Sequence, residues 1–324
     1  MERTNGGAGA AQRWAWRRRR ESVLAALAVL TAVLLAFHRL VPNRVGRLGS
    51  LLESFLPWLG LLVVVLLALA ALYRSAVALV ALLLPVAAWT QLFGGLLVPG
   101  DAKPGPRDLV VVQHNVSDEN PEPVATARAL ADAGPDLIAL QELVPEALPR
   151  YESALARRYP YHAVRGTVGL WSRHPLSGVR PVDIKPDGIV EPWSRGLRVV
   201  VHTPHGTLAA YVAHLPSVRV GASGLASSWR DASARLLGRA VAAEEQEAVV
   251  LLGDLNGTVD DRGLSPLTSR MNVPERGFAL SFPAVFPVAR IDQVMTRSAT
   301  VAGIRTLPAT TSDHLPVTAR ITLG

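Results

Sequence analysis

Three uncharged apolar stretches crowd the first hundred residues of this 324-residue chain, and they limit its architecture more than any other feature. Residues 22–37, 54–73 and 75–100 run for 16, 20 and 26 residues, near or above the ~20 needed to cross a hydrocarbon core. The first follows Arg17-Arg18-Arg19-Arg20, yet no small-residue cleavage site precedes the next apolar run, so it reads as a retained helix and not a secretory signal. The expectation is a basic cytoplasmic N-terminus over 1–21 and a membrane region over 22–98 with three transmembrane helices. Arg3, Arg13, Arg17 to Arg20 and Arg74 then flank the cytoplasmic side, while Arg39, Arg44 and Arg47 lie in the first outer loop. An odd number of spans puts the rest of the chain outside the cytoplasm at the cell membrane.

Charge separates the two parts of the chain. Residues 1–100 hold 10 Arg and 3 acidic side chains, whereas residues 101–324 hold 23 basic and 23 acidic ones. The formal +7 therefore belongs to the N-terminal region, and the high isoelectric point does not mark a nucleic-acid-binding domain. The chain has no Cys, which excludes thiolate metal sites, disulfides and thiol catalysis. Pro99-Gly100-Asp101-Ala102-Lys103-Pro104-Gly105-Pro106 is rich in chain breakers, so 99–107 reads as a linker and 108–324 as one domain.

Within that domain, short β-branched runs alternate with helical stretches. Strands are expected at 109–116, 136–140, 167–172, 197–203, 207–214, 248–253, 289–296 and 317–322, and helices at 124–133, 145–158 and 227–245. The polar residues recur at one place, the last residue or two of an apolar strand. Val111-Val112-Gln113-His114-Asn115, Leu140-Gln141-Glu142, Val212-Ala213-His214, Gly253-Asp254-Leu255-Asn256 and Ile291-Asp292-Gln293 all do this, and Thr311-Ser312-Asp313-His314 precedes the last strand. Strand ends along one sheet edge converge, so these groups are expected to line a single cleft. Singly, each has an ordinary explanation: Asn115, Asn256 and Asp254 as turn formers, Glu142 as a cap, His214 as a hydrogen-bonded structural side chain. Six such motifs in one domain are poorly explained by turn chemistry.

In their order and spacing these motifs resemble the endonuclease/exonuclease/phosphatase superfamily, a metal-dependent phosphoesterase fold shared by DNase I-like nucleases, inositol-polyphosphate phosphatases and sphingomyelinases. Gly169-Leu170-Trp171-Ser172-Arg173-His174-Pro175 is similar to a mid-domain strand of that family. The resemblance implies an α+β fold, a four-layer αββα sandwich, here preceded by three transmembrane helices. It also implies Mg²⁺ (or Mn²⁺ in its place) held by Glu142 and Asn115, with Asp313 left open between a metal ligand and an orienting group. By the same resemblance, Asp254 accepts a proton from or positions the attacking water, and Asn256 holds that water or a phosphate oxygen. His314, kept basic by Asp292, donates to a non-bridging oxygen, and His214 contacts the phosphate from the other side. Arg195 and Arg198, which flank an expected strand start, and Arg219 and Arg230, which bracket the Gly/Ser-rich segment 216–228 that reads as a mobile loop, are weaker candidates for clamping a second phosphate; a solvated surface role is the ordinary alternative for each.

The fold does not choose the substrate. A nuclease would be expected to carry a basic groove, whereas this domain has no net formal charge and a linker of about eight residues. The layout resembles the actinobacterial VanJ-like membrane proteins associated with teicoplanin resistance, which implies a phosphatase acting on polyprenyl pyrophosphate or a related membrane lipid phosphate, with no stable nucleic-acid partner. A membrane-anchored nuclease is the alternative enzyme. A non-catalytic phosphate-binding module would be expected to lack some of Glu142, Asp254, Asn256, Asp292 and His314, all of which are present.

Overall fold

The computed structural model describes residues 5–100, 105, 108–222 and 224–324. Most of the linker expected over 99–107 lies outside them. The chain forms two compact units, Met1–Pro42 with Phe55–Gly95, and Asn43–Ser54 with Leu96–Gly324.

The first unit is helical. Its elements are α1 (Asn5–Phe37), α3 (Leu59–Leu72) and α4 (Ala76–Phe93), while the intervening α2 (Leu48–Ser54) belongs to the second unit. Leu24, Ala28, Leu66, Ala70, Ala78 and Leu82 pack together, whereas Leu30, Val33, Val64, Val80 and Leu83 face outward and are exposed. An apolar exterior of this kind suits lipid, because helices satisfy their own backbone polar groups. Left-handed Arg74 (φ 49°) turns the chain between α3 and α4, and the Ser75 side chain caps α4 by accepting from Ala78 N at 3.2 Å. Two helices, Gln12–Leu40 and Ala76–Leu97, are long and apolar enough by themselves to cross a membrane; a third span requires the pair Leu48–Ser54 and Leu56–Leu72, bent by 64°, to act as one. Of the three spans expected from the sequence, two therefore stand on length and composition. The third is a shorter apolar helix, because α2 is drawn into the other unit by its polar residues, including buried Ser50 and Glu53.

The second unit is a four-layer sandwich of two sheets between helices. One sheet runs β12 (Ala299–Thr306), β13 (Val317–Leu323), β1 (Asp108–Asn115), β2 (Leu137–Gln141), β4 (Val168–Ser172), β3 (Tyr161–Arg165). The other runs β11 (Asp292–Arg297), β10 (Val249–Asp254), β7 (Gly206–His214), β6 (Gly196–Thr203), β5 (Leu176–Pro181). Both are mixed, with parallel pairs β1–β2 and β7–β10 at their centres. A small hairpin, β8 (Arg219–Gly221) and β9 (Gly224–Ala226), occupies the segment expected to be a loop.

Strand alternation builds the layers. Leu109, Val111, Leu137, Ala139, Leu197, Val199, Ala210, Val212, Val250 and Leu252 point into the space between the sheets. Val112, Ile138, Leu140 and Trp171 face the other way, beneath α5 (Pro123–Asp132) and α6 (Leu148–Leu155). On the opposite flank Ala209, Tyr211, Val249, Leu251 and Met295 pack against α7 (Ser228–Ala242) and α8 (Ser265–Thr268). Burial on both faces explains why the central strands read as continuous apolar runs. Gly253 has a separate reason to be glycine: a Cβ there would sit 2.0 Å from Ala213 O on the paired strand.

Candidate active site

The two central parallel pairs end at the same edge of the sandwich, and their last residues carry the chemistry. Asn115 closes β1 beside Gln141, the last residue of β2. In the other sheet Asp254 closes β10 and stands in register with His214 on one side and Asp292 on the other. The two sheets meet through Asn115, whose Nδ2 donates to Glu142 Oε1 at 2.9 Å and to Asp254 Oδ2 at 3.1 Å. An Asx turn fixes that orientation, because Asn115 Oδ1 accepts from Ser117 N at 3.0 Å.

Two site residues occupy the left-handed backbone region without being glycine. Glu142 has φ 61° and Asn256 has φ 46°; such conformations are uncommon for bulky side chains and gather at functional sites. Asn256 is held between the ends of β7 and β10, its Nδ2 donating to Leu215 O at 3.0 Å and to Asp254 Oδ2 at 3.3 Å.

His314 is oriented by Asp292, with Nδ1 to Oδ2 at 2.8 Å, while Gln113 Nε2 donates to the other oxygen at 2.6 Å. Burial works against a charged imidazole here, but Asp292, Asp254 and Asp313 outweigh it and push the His314 pKa up to about 10. Its Nε2 faces Asp254 Oδ2 at 3.8 Å. Asp254 is buried, and burial together with the neighbouring Asp292 raises its pKa to about 7 despite the opposing pull of His314. A carboxyl poised near neutrality suits proton transfer. Ser312 sets the His314 loop, its Oγ donating to Asn115 O at 2.7 Å and accepting from His314 N at 3.0 Å.

His214 behaves oppositely. Burial, with the charges of Arg195 and His314, drives its pKa well below the usual 6.5. Arg195 donates to its Nδ1 at 3.3 Å, which leaves the proton on Nε2, 3.6 Å from Glu142 Oε1 and 3.7 Å from Asp254 Oδ2. That Nε2 is buried and has no hydrogen-bond partner among the described residues, and it lies on the side of Glu142 and Asp254. Arg195 also lies over the Trp193 ring at 4.0 Å.

The structure thus gathers Asn115, Glu142, Arg195, His214, Asp254, Asn256, Asp292 and His314. Three other candidates sit differently. Asp313 is exposed, its backbone oxygen accepting from Ala284 N at 2.7 Å, and it acts on His314 through its charge. Arg219 is exposed on β8 and, among the described residues, makes no hydrogen bond or ion pair with the cluster. Arg230 is buried, and its guanidinium is spent on Asp231 (2.8 Å), Asn256 O (3.0 Å) and Asp261 (2.5 Å), so it holds the catalytic loop from behind and is not free to clamp a phosphate. Arg198 likewise turns away, chelating Glu244 at 2.7 and 2.8 Å. Sequence reasoning missed Gln113 as the partner of Asp292; its place two residues before Asn115, on the same strand face, was the available signal.

The donor set fits a hard divalent cation. Oxygen atoms of Glu142 and Asp254 converge beside the Asn115 amide, and the chain contains no thiolate. Asp254, Asp292 and His314 also bring ligand-type atoms within 4.8 Å of one another. There, however, the protonated imidazole already compensates the carboxylates and both Asp292 oxygens are taken, so the Glu142 side is the better place for a cation; Asn115, expected as a second ligand, turns its donor Nδ2 to the carboxylates while Oδ1 is held by Ser117 N, and it orients Glu142 instead.

Solved structures of the same fold include an endonuclease/exonuclease/phosphatase from Beutenbergia cavernae (19% identity, 67% of this chain and 72% of that one, TM-score 0.53). Sphingomyelinase C from Streptomyces griseocarneus (20%, 66% and 99%, TM-score 0.53) and D. rerio TDP2 complexed with single-strand DNA product (18%, 66% and 99%, TM-score 0.55) are similar to the same extent. No curated protein matches the sequence. Members of the matching family are hydrolases of phosphate esters that usually use a divalent metal. The model of the Endonuclease/Exonuclease/phosphatase family matches residues 112–314, from β1 to the imidazole paired with Asp292, and the chain belongs to that family.

Proposed function

We propose that the chain is a membrane-tethered, divalent-metal phosphoesterase acting on a lipid phosphate, with polyprenyl pyrophosphate the favoured substrate, Mg²⁺ the favoured ion and the catalytic unit outside the cytoplasm. One observation carries the tethering. Residues 43–54, which connect the first two apolar helices, belong to the phosphoesterase unit, so three chain connections and not one flexible linker join that unit to apolar helices. Segments 43–54 and 96–324 then share one side of the membrane, which agrees with an odd number of crossings. The basic N-terminus and Arg74 favour the cytoplasm for the opposite side.

A lipid substrate is supported beside the cluster itself. Phe282 to Ala289 is an uninterrupted apolar run whose tip, Val285 and Phe286, is 98% and 71% exposed. Its base is clasped to the site: the Phe282 ring lies 4.8 Å from that of His314, and Leu315 N donates to Ser281 O at 2.7 Å. An exposed apolar tip adjoining a catalytic imidazole suits an isoprenoid tail better than a polyanionic backbone. The balanced charge of 101–324 points the same way.

In this mechanism Glu142 would hold the metal, with Asn115 orienting its carboxylate through Nδ2, and the bound ion would polarise a phosphoryl oxygen and offset its developing charge. Asp254 takes a proton from the attacking water, and Asn256 fixes the geometry of that carboxylate. The charged His314 donates to a non-bridging oxygen across the site, and neutral His214 offers its Nε2 proton to another. Asp292 keeps His314 protonated, while Arg195 keeps His214 in the donor tautomer. The chain has no Cys, and among the described residues no Ser at the cleft is set beside a base that would activate it, which supports direct in-line attack by water.

The test compares full-length protein in liposomes on polyprenyl pyrophosphate and on plasmid DNA, each with Mg²⁺. Phosphate release from the lipid with intact plasmid supports the assignment. Nicking of DNA with the lipid untouched would overturn the substrate and leave the phosphoesterase chemistry standing.

A further inference from the structure

A short stretch between the first two apolar helices reaches the catalytic loop through buried charges. In residues 43–54, Arg47 forms an ion pair with Asp231 and donates to Ser228 Oγ at 3.1 Å. Glu53, fully buried, accepts from Arg262 Nε and Nη2 at 2.8 Å each and from Arg262 N at 2.9 Å. Ser54 Oγ donates to Asp261 at 3.4 Å, and Gly46 O accepts from Leu225 N at 2.9 Å. The β8–β9 hairpin approaches so closely that a Cβ on Gly224 would lie 2.1 Å from Gly46 O.

The carboxylates met from this side are the ones that grip Arg230 from the other. Arg230 binds Asp231 and Asp261, and its remaining nitrogen donates to the carbonyl of left-handed Asn256. Three arginines (Arg47, Arg230, Arg262) and three carboxylates (Asp231, Asp261, Glu53) thus form a charge-balanced relay, with Arg47 and Arg262 half-buried and the other four buried, that ends on the backbone of Asn256. Burying four of these charges, Glu53, Arg230, Asp231 and Asp261, to hold a peptide that the loop could present to water is costly unless its position matters.

We propose that residues 43–54 are a positioning strap: Arg47 and Glu53, acting through Asp231, Arg262, Asp261 and Arg230, hold Asn256 and the loop after Asp254 in their reactive arrangement. Arg47 and Glu53 are positioning residues and do not touch substrate. The proposal rests on the active-site assignment above but not on the choice of substrate.

The experiment uses full-length protein in liposomes carrying Arg47→Met or Glu53→Gln, with Arg44→Ala, an exposed residue of the same segment, as the neutral control and Arg47→Lys as the conservative rescue. Turnover is followed on polyprenyl pyrophosphate and on plasmid DNA, and amide hydrogen exchange is followed over residues 254–264 without substrate. The expected result is a fall in kcat of about tenfold or more with KM within about twofold, faster exchange over 254–264, partial recovery with Arg47→Lys, and no change with Arg44→Ala. Unchanged kcat in Arg47→Met, the less buried of the two variants, would overturn the proposal. A fall in kcat with unaltered exchange over 254–264 would overturn it equally. The exchange measurement reads the strap even where the lipid proves not to be the substrate, so the two failures are distinguishable.

Discussion

His314 Nδ1 lies 2.8 Å from Asp292 Oδ2, and this bond joins a loop before the last strand of one sheet to the first residue of the edge strand of the other. It holds an imidazole protonated far above its ordinary range at a place where a phosphate would need a cationic donor. Much of the site's behaviour should follow from it.

Replacing Asp292 with Asn removes the main charge that keeps His314 protonated. The expected outcome is a loss of about 10²-fold in kcat, with the alkaline limb of the pH profile moved to lower pH. Because the folded pKa of about 10 is raised above the unfolded 6.5, the pair's contribution to stability is complete below about pH 6.5 and is lost as pH rises through about 10. Thermal melts of wild type and variant across that window should converge at the alkaline end.

Asp254 shifts in the same direction for the opposite reason, because here the charged form is the disfavoured one. Its folded pKa near 7 is raised from 3.8, so its ionisation costs stability progressively as pH rises from about 4 through 7. Asp254→Asn in metal-free protein is therefore expected to raise the melting temperature by roughly 3–6 °C at pH 8 and to change it little at pH 4, while abolishing turnover. An equal shift at both pH values would contradict the assignment.

In the proposed mechanism Glu142 would hold the cation. Glu142→Gln should raise the Mg²⁺ concentration for half-maximal activity by about tenfold or more and reduce the stabilisation that Mg²⁺ confers in thermal melts. Chelation should silence the wild type reversibly.

Gly253 is expected to tolerate no side chain. Adding a methyl group 2.0 Å from Ala213 O forces β7 and β10 apart, and Gly253→Ala should cost about 1–3 kcal/mol and displace Asp254. Denaturant titration measures the first effect, and loss of activity at temperatures where the variant stays folded reports the second.

Strand ends carried most of the legible information. Asn115, His214 and Asp254 terminate strands whose apolar runs are buried on both faces, so pattern alone located them. The strand expected from 289 begins at Asp292, because Ser281 and Phe282 pair with Ala289 in an isolated bridge that keeps the preceding residues outside the sheet. β3 and β5 escaped notice because edge strands with one exposed face lack the apolar runs of the centre. The expected helix over 145–158 shortens to Leu148–Leu155, with turns on either side. Arg230 and Glu53 were illegible for another reason: their roles depend on partners between about 30 and 200 residues away, brought near only by the packing of α7 and α2. Sequence separation hides such pairs, whereas strand periodicity is local.

The central claim is that the strand-end cluster hydrolyses a phosphoester with a divalent metal, and one measurement addresses it most directly. Phosphate release from polyprenyl pyrophosphate by liposome-embedded wild type is compared with Asp254→Ala and His314→Ala, with Mg²⁺ and after chelation. The account predicts metal-dependent release that falls by at least about 10²-fold in both variants. Release that persists in either folded variant, or that is indifferent to chelation, would contradict it.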